Sequence, residues 1–263
     1  MNATVSDVAD WWATGVCRME PGVVELRGIP VQDLIGSTGL VATVWLLTRG
    51  ALPDPREAAL LEAALVAAVD HGPQAPSIAI ARMTVTCGVG LNNAIASGVN
   101  ALGDVHGGAG EQCVELLNEI VQREADGQSL TGAVAEVIGK HRYVPGFGHR
   151  FHPVDPRRDP LLALVDQAAA DGVVAGRHAR AARAVETALN TGRAKPVPMN
   201  IDGATAVIYA ELGFPPPLAR GLFVLSRSVG ILAHAWEEST QGRRNKGPIP
   251  PAVLPTYLGD PTG

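Results

Sequence analysis

Aromatic side chains are scarce in this sequence: Phe, Trp and Tyr together supply 4% of its 263 residues. Alternating β-branched residues are also rare, and a chain poor in both lacks the usual material of a sheet. Apolar residues still make up 46%, largely Ala, Leu and Val, a composition that favours packed helices. No basic excess exists, since the formal net charge is -5, and this argues against a nucleic-acid partner. Cys17, Cys87 and Cys113 are odd in number, widely spaced and without a CxxC pair. They read as buried thiols of a reducing, cytoplasmic setting. Apolar stretches such as "GLVATVWLL" are interrupted well short of the ~20 residues a membrane span needs. The opening "MNATVSDVADWW" holds two acids and no basic n-region, so neither a secretory signal nor a membrane is expected. What remains is room for one large domain or two moderate ones, with a substantial core.

Helix signals fill that room. In "PDPREAALLEAALVAAVDHG", Asp54 can cap, Pro55 suits the first helical position and Glu57 completes a capping-box spacing. "GEQCVELLNEIVQREADG" is amphipathic and stops at Gly127, and "SLTGAVAEVIGKH" follows as a shorter helix. "DPLLALVDQAAADG" repeats the Asp-Pro start at Asp159 and Pro160. "HARAARAVETALNTG" and "GATAVIYAELG" each end at glycine. "PPPLARGLFVLSRSVGILAHAWEEST" follows prolines and is apolar on nearly every face, so it reads as a central buried helix. From Thr240 the chain turns to Gly and Pro and cannot continue a helix; it is either an arm that packs on a neighbour or a disordered end. The expected fold is all-α.

The residues suited to chemistry cluster in a few places. "PGFGHRFHPVDPRRDP" concentrates two histidines and three arginines beside a glycine–phenylalanine–glycine turn. A metal site on His149, His152 and Asp155 would need a helix to align the rings, and Pro153 and Pro156 oppose one, so no metal is expected. Arg150, Arg157 and Arg158 offer planar forks for carboxylates or phosphates, with a solvated basic loop as the plain alternative. Arg227 lies among apolar residues in "LFVLSRSVGILAHAW" and needs an anion, either a protein carboxylate or a ligand. "VHGGAGE" puts His106 before two glycines at a helix start, where backbone can approach a ligand closely. "GVGLNNAIASG" has no strand before it and makes a poor dinucleotide loop. Asp202 in "PMNIDGATAV" opens a helix, and an N-cap is its ordinary reading.

Taken together, "DHGPQAPSIAIARMTVTCG", "LGDVHGGAGE", "VPGFGHRFHPVDPR", "KPVPMNIDG" and "GLFVLSRSVGILAHAWEE" resemble the citrate synthase superfamily in order and approximate spacing. "LRGIPVQDL" looks like that family's early Arg-Gly motif, so the resemblance runs from about Leu26 onward. Only a short leader precedes it, where citrate synthases have a long extension. That compactness, and "NIDG" without a following aromatic, look like the citryl-CoA lyase branch, which includes the citrate-synthase-like module of ATP-citrate lyase.

The resemblance implies a two-lobed helical fold, with residues 1–107 and 214–263 in a large lobe and 108–213 in a small one. It implies cleavage of citryl-CoA to acetyl-CoA and oxaloacetate, or the related condensation of an acyl-CoA with oxaloacetate or another 2-oxo acid. A non-catalytic acyl-CoA or dicarboxylate binder is the third reading. His106 would hold the thioester carbonyl, His149 the oxaloacetate carbonyl or citryl hydroxyl, and Asp202 would exchange the proton at carbon. His71, Arg157 and Arg227 would bind the dicarboxylate. Val144, Gly146 and Phe147 would receive the coenzyme A adenine, with Arg193 and Lys195 near its phosphates. Coenzyme A enters as a substrate thioester, with no tightly bound cofactor, and a homodimer or multiple of dimers is implied. Two departures stand out: Gly110 replaces a common Asn, and the gap from His149 to Arg157 is one residue short, leaving Arg158 as an alternative. Arg243, Arg244 and Lys246 are candidates for the arginine usually lent by a neighbouring subunit.

Overall fold

The computed structural model describes residues 5–148, 154–247, 252–253 and 255–259. A short helix, α1 (Val5–Trp11), leads into an antiparallel sheet of β1 (Cys17–Glu20), β2 (Val23–Leu26) and β3 (Ile29–Pro30), in that order. The Arg-Gly of "LRGIP" is the turn between β2 and β3. Arg27 and Gly28 both take positive φ, 51° and 80°, as a tight hairpin turn demands. Arg27 then ties the hairpin down, donating through Nε and Nη2 to the Leu47 carbonyl at 3.1 and 2.7 Å.

Helices make the rest: α2 (Val31–Leu34), α3 (Leu40–Arg49), α4 (Pro55–Ala68), α5 (Pro76–Val85), α6 (Leu91–Asn100) and α7 (Ala109–Ala125). After them come α8 (Leu130–Ile138), α9 (Arg158–Ala170), α10 (Arg177–Asn190), α11 (Ile201–Glu211) and α12 (Pro216–Thr240). The fold is helical, as expected, with one small sheet added. Asp54 and Glu57 form the full capping box at α4. α9 starts two residues earlier than the expected Asp159–Pro160 start, with Arg157 at the cap position and Arg158 as its first residue. Asp155 is the reason: its carboxylate accepts the Arg157 N–H and its carbonyl the Arg158 N–H, both at 3.1 Å.

The main core draws side chains from α3, α4, α7, α8, α9, α10, α11 and the first turns of α12. It thus crosses the boundary expected between residues 107 and 108. In α11 every residue from Gly203 to Ala210 is buried, so this helix is the axis around which the others pack. A second, smaller cluster joins α5, α6 and the later part of α12 around Ile78 and Ile231. By length and composition α12 could cross a membrane, which the sequence reading of short apolar stretches did not anticipate. One side of it is buried: it packs on α4, α5, α6 and α7 and carries Arg227 on that side. The cysteines also differ from expectation. Cys113 is buried, but Cys17, on the outer strand of the hairpin, and Cys87, just past α5, are exposed.

One close approach sets α12 against the end of α4. Gly230 lets α12 meet the end of α4, where a methyl group would overlap the Val69 carbonyl and come within 3.0 Å of Asp70 Oδ1. Gly230→Ala should therefore cost about 1–3 kcal/mol by overpacking. Urea unfolding measures this; an unchanged midpoint would mean the two segments can separate freely.

Candidate active site

The N-terminal end of α11 is held by the "PGFG" turn. Phe147 and Met199 form an isolated antiparallel bridge. Gly148 N–H donates to the Pro198 carbonyl at 2.6 Å, and Asn200 N–H to the Gly146 carbonyl at 3.0 Å. Asn200 Nδ2 returns to the Gly148 carbonyl at 2.8 Å. Only glycines permit this contact: a Cβ on Gly203 would overlap the Gly146 carbonyl, and one on Gly146 would sit 2.7 Å from Cys113 Sγ.

Asn200, not Asp202, caps α11. Its Oδ1 accepts the N–H groups of Asp202 and Gly203 at 2.9 and 3.2 Å. Asp202 stands two positions further in, and among the described residues its carboxylate accepts no hydrogen bond. Burial pushes that carboxyl above the ordinary carboxylate range; Arg227 and Arg157 pull against the rise and Asp155 adds to it. An acid raised against two nearby arginines is a group kept ready to hold a proton.

Arg227 is 5% exposed. Its Nε donates to the Ala68 carbonyl at 3.1 Å and its guanidinium lies 5.0 Å from the Phe223 ring centroid. No carboxylate among the described residues comes within ion-pair distance of it, so the anion that its burial calls for is not supplied by those residues. Burial accordingly lowers its value, while the charges of Asp202 and Asp70 support it.

His106 belongs to the same group of charges. The Ser77 backbone N–H, in the first turn of α5, donates to His106 Nε2 at 3.1 Å, and Ser77 Oγ lies 3.0 Å from the same nitrogen. A nitrogen that accepts cannot carry the proton, so Nδ1–H is left as the donor. Burial, then the charge of Arg227, lowers the value for this ring and keeps the imidazole neutral. Arg220 braces the loop before it, pairing with Asp104 at 2.7 Å and with Glu111.

Arg157 is turned partly away from the role expected of it. Nε and Nη2 form a fork with fully buried Asp155, each at 2.9 Å, and Nη1 makes only a 3.4 Å bond to the Ala67 carbonyl. Asp155 also accepts the Ile201 N–H at 3.1 Å, locking this ion pair to the start of α11. Arg158, the alternative, is committed to Asp159 and Glu186. His71 lies half-buried on the turn between α4 and α5, next to Asp70. His149, together with Arg150 and His152, lies outside the described residues.

Beside the "PGFG" turn is a cleft of about 440 Å³ lined by Val144, Phe147, Arg142, Arg193 and Val197 among others. It brings together three of the five residues expected around coenzyme A. Gly146 lies behind the wall, and Lys195 is exposed without lining the cleft. Among the described residues no cluster of metal-ligating side chains occurs. The sequence reading missed Asn200, Ser77 and the pairing of Asp155. Asn200 was legible, since Asn two residues before Asp at a helix start is itself a capping signal.

A raised carboxyl takes up its proton in the folded state first, so its charge lowers stability at neutral pH and the loss fades as pH falls towards about 4. Asp202→Asn should therefore melt no lower than the parent at neutral pH, the difference closing in acid, whereas Asn200→Ala should lose about 1 kcal/mol. Thermal unfolding across that range reads both. If Asp202→Asn loses as much as Asn200→Ala, Asp202 is a cap after all.

Residues 48–249 match the family model for the citrate synthase C-terminal domain. The citryl-CoA lyase of Hydrogenobacter thermophilus superimposes with a TM-score of 0.85 at 32% identity, covering 95% of both chains. The ATP citrate lyase of Methanothrix soehngenii, solved with citrate and coenzyme A, superimposes with a TM-score of 0.79 at 18% identity. That likeness covers 99% of this chain and 45% of the other. The glyoxysomal citrate synthase of Cucurbita maxima is 31% identical over 195 residues, 71% of this chain and 36% of its own. The chain spans between about a third and just over half the length of the curated relatives first matched. With the family model matched over most of its length, this chain belongs to the citrate synthase family.

Proposed function

We propose that the protein cleaves citryl-CoA to acetyl-CoA and oxaloacetate. The carrying observation is its likeness to a citryl-CoA lyase over nearly the full length of both chains. Citrate and coenzyme A in the related ATP citrate lyase structure point to the same ligands.

The chemistry fits the groups found. In the cleavage direction the citryl hydroxyl gives up its proton, the adjacent C–C bond breaks and its electron pair moves onto the thioester as an enolate. His149 takes the hydroxyl proton in this reading, by its place in the Gly-His-Arg motif. His106, neutral with Nδ1–H free to donate, stabilises the enolate oxygen; one such donor is typically worth about 3–4 kcal/mol. Asp202, whose carboxyl burial pushes above the ordinary carboxylate range, delivers a proton from its protonated form to the methylene carbon and yields the methyl group. Two titrating groups pushed in opposite directions, His106 down and Asp202 up, divide the donor roles between oxygen and carbon. Arg227 receives a substrate carboxylate, with the Arg157–Asp155 pair and His71 beside it. The cleft at Val144, Phe147 and Arg193 takes the coenzyme. The same groups run the reverse condensation, which the citrate synthase relatives perform.

Incubating the protein with citryl-CoA should release oxaloacetate and acetyl-CoA. Asp202→Asn should slow this by about 10²–10⁴-fold, and should abolish solvent deuterium uptake at the methyl group of acetyl-CoA. Retained exchange in a folded variant would overturn the role given to Asp202. Release of free coenzyme A from acetyl-CoA plus oxaloacetate, with no cleavage of citryl-CoA, would favour the synthase.

We also propose a homodimer, and a cytoplasmic location consistent with three unpaired thiols. Leu225, Val229, Leu232 and Trp236 are 45, 56, 43 and 60% exposed and recur along α12 at helical spacing. A buried helix that leaves such a stripe open invites a second copy. Analytical ultracentrifugation should find a dimer, and Val229→Glu with Trp236→Glu should reduce it to monomers. A monomeric parent at micromolar concentration would sink the idea.

A further inference from the structure

We infer that His234 is a positioning residue: its Nε2–H holds Asp70, and through Asp70 the turn that carries His71. The inference rests on the reading of His71 as a ligand of the dicarboxylate.

Four groups fix this geometry. Arg82, 8% exposed in the last turn of α5, is clamped by Glu237 Oε2 at 2.6 Å and Glu238 Oε2 at 2.5 Å. Glu238 is itself 1% exposed and held from the other side by Lys246 Nζ at 3.1 Å. Arg82 Nη1 lies 3.0 Å from His234 Nδ1. A guanidinium can only donate, so Nδ1 must present its lone pair and the ring proton sits on Nε2. Nε2 stands 3.2 Å from Asp70 Oδ1 and 3.4 Å from Oδ2.

Asp70 connects this chain to the site. Its Oδ2 accepts the Gly72 N–H at 3.1 Å, closing a turn in which Gly72 takes a φ of +77° and His71 is the residue between. The Gly72 carbonyl in turn accepts the Ala75 N–H at 3.1 Å, immediately before the helix start that presents the Ser77 N–H to His106. Gly230, one turn before His234 on α12, lets the two segments touch. His234 thus acts from behind the site, on the backbone that presents His71, and touches no reacting atom in this arrangement.

A purely structural role and a positioning role part on two substitutions. Gln can place an amide N–H near the Nε2 position and keep the bond to Asp70, whereas Asn reaches only the Nδ1 position and keeps Arg82 alone. His234→Asn should weaken oxaloacetate binding about tenfold, the lower end for loss of a group supporting a ligand-binding side chain. Coenzyme A binding should stay at the parent value, and His234→Gln should restore oxaloacetate. Titration calorimetry with oxaloacetate and with coenzyme A reads all three. Equal weakening of both ligands, no weakening, or failure of Gln to restore would overturn the inference. In the unsubstituted protein, ¹⁵N-histidine spectra should show His234 as the Nε2–H tautomer, and the Nδ1–H tautomer would also overturn it. If the parent binds no oxaloacetate at all, the proposed function fails, while the tautomer still decides the contact with Asp70.

Discussion

A cation buried without a carboxylate in ion-pair range is the constraint on which the rest of this structure turns. Arg227 is placed mid-helix on the inner side of α12, among apolar neighbours, with one carbonyl and one aromatic ring as its near partners. Left so in water-poor surroundings, it would cost far more than a helix of this kind could offset. Its charge is felt at Asp202 and at His106, and it feels Asp202 and Asp70 in turn. Three elements, α4 at its end, α11 at its start and α12 at its middle, therefore share one electrostatic problem. In the proposed function a substrate carboxylate supplies the missing anion at the point where these elements meet.

Closeness on this scale needs backbone without side chains. Gly230 permits α12 to meet Val69 and Asp70, while Gly146 and Gly203 let the aromatic turn lie against the first turn of α11. Around those contacts the polar groups are satisfied in a definite way. Asn200 takes the free N–H groups of α11, Asp155 takes those before α9 and reaches Ile201, and Ser77 takes the inner nitrogen of His106. Capping at α11 falls to Asn200, so the Asp202 carboxylate is not spent on the helix start, as the proton-exchange role proposed for it requires.

Much of the framework could be read from local signals. The Asp54–Glu57 capping box, the glycine stops and the all-round apolar α12 follow from residues only a few positions apart. α3, α5 and α6 were not picked out as helices, because each is short, ten residues, and two are rich in β-branched or small side chains. The burial of Arg227 was legible from its apolar flanks. The ion pair of Arg157 was not, because it depends on how the loop before α9 folds Asp155 back under the guanidinium. The exposed Cys17 and Cys87 mislead for a similar reason: cysteine is usually inside, but a hairpin edge and a helix end have no inside to offer.

The electrostatics also bear on direction. No catalyst changes the equilibrium between citryl-CoA and its fragments, but the resting protonation state decides which reactant meets a ready site. Condensation must begin with an ionised acid that can remove a methyl proton, whereas cleavage needs a protonated one that gives its proton to the enolate carbon and is left ionised. A helix start alone would favour the ionised form of Asp202, since the N–H groups there carry partial positive charge. Burial acts the other way, and with Asp155 beside it outweighs both arginines. The unliganded site thus holds Asp202 towards its protonated form. His106, its Nε2 engaged by Ser77, waits as a neutral donor at the oxygen end of the same enolate. In the proposed reading these opposite shifts suit the enolate that cleavage creates, with a donor at its oxygen and an acid at its carbon.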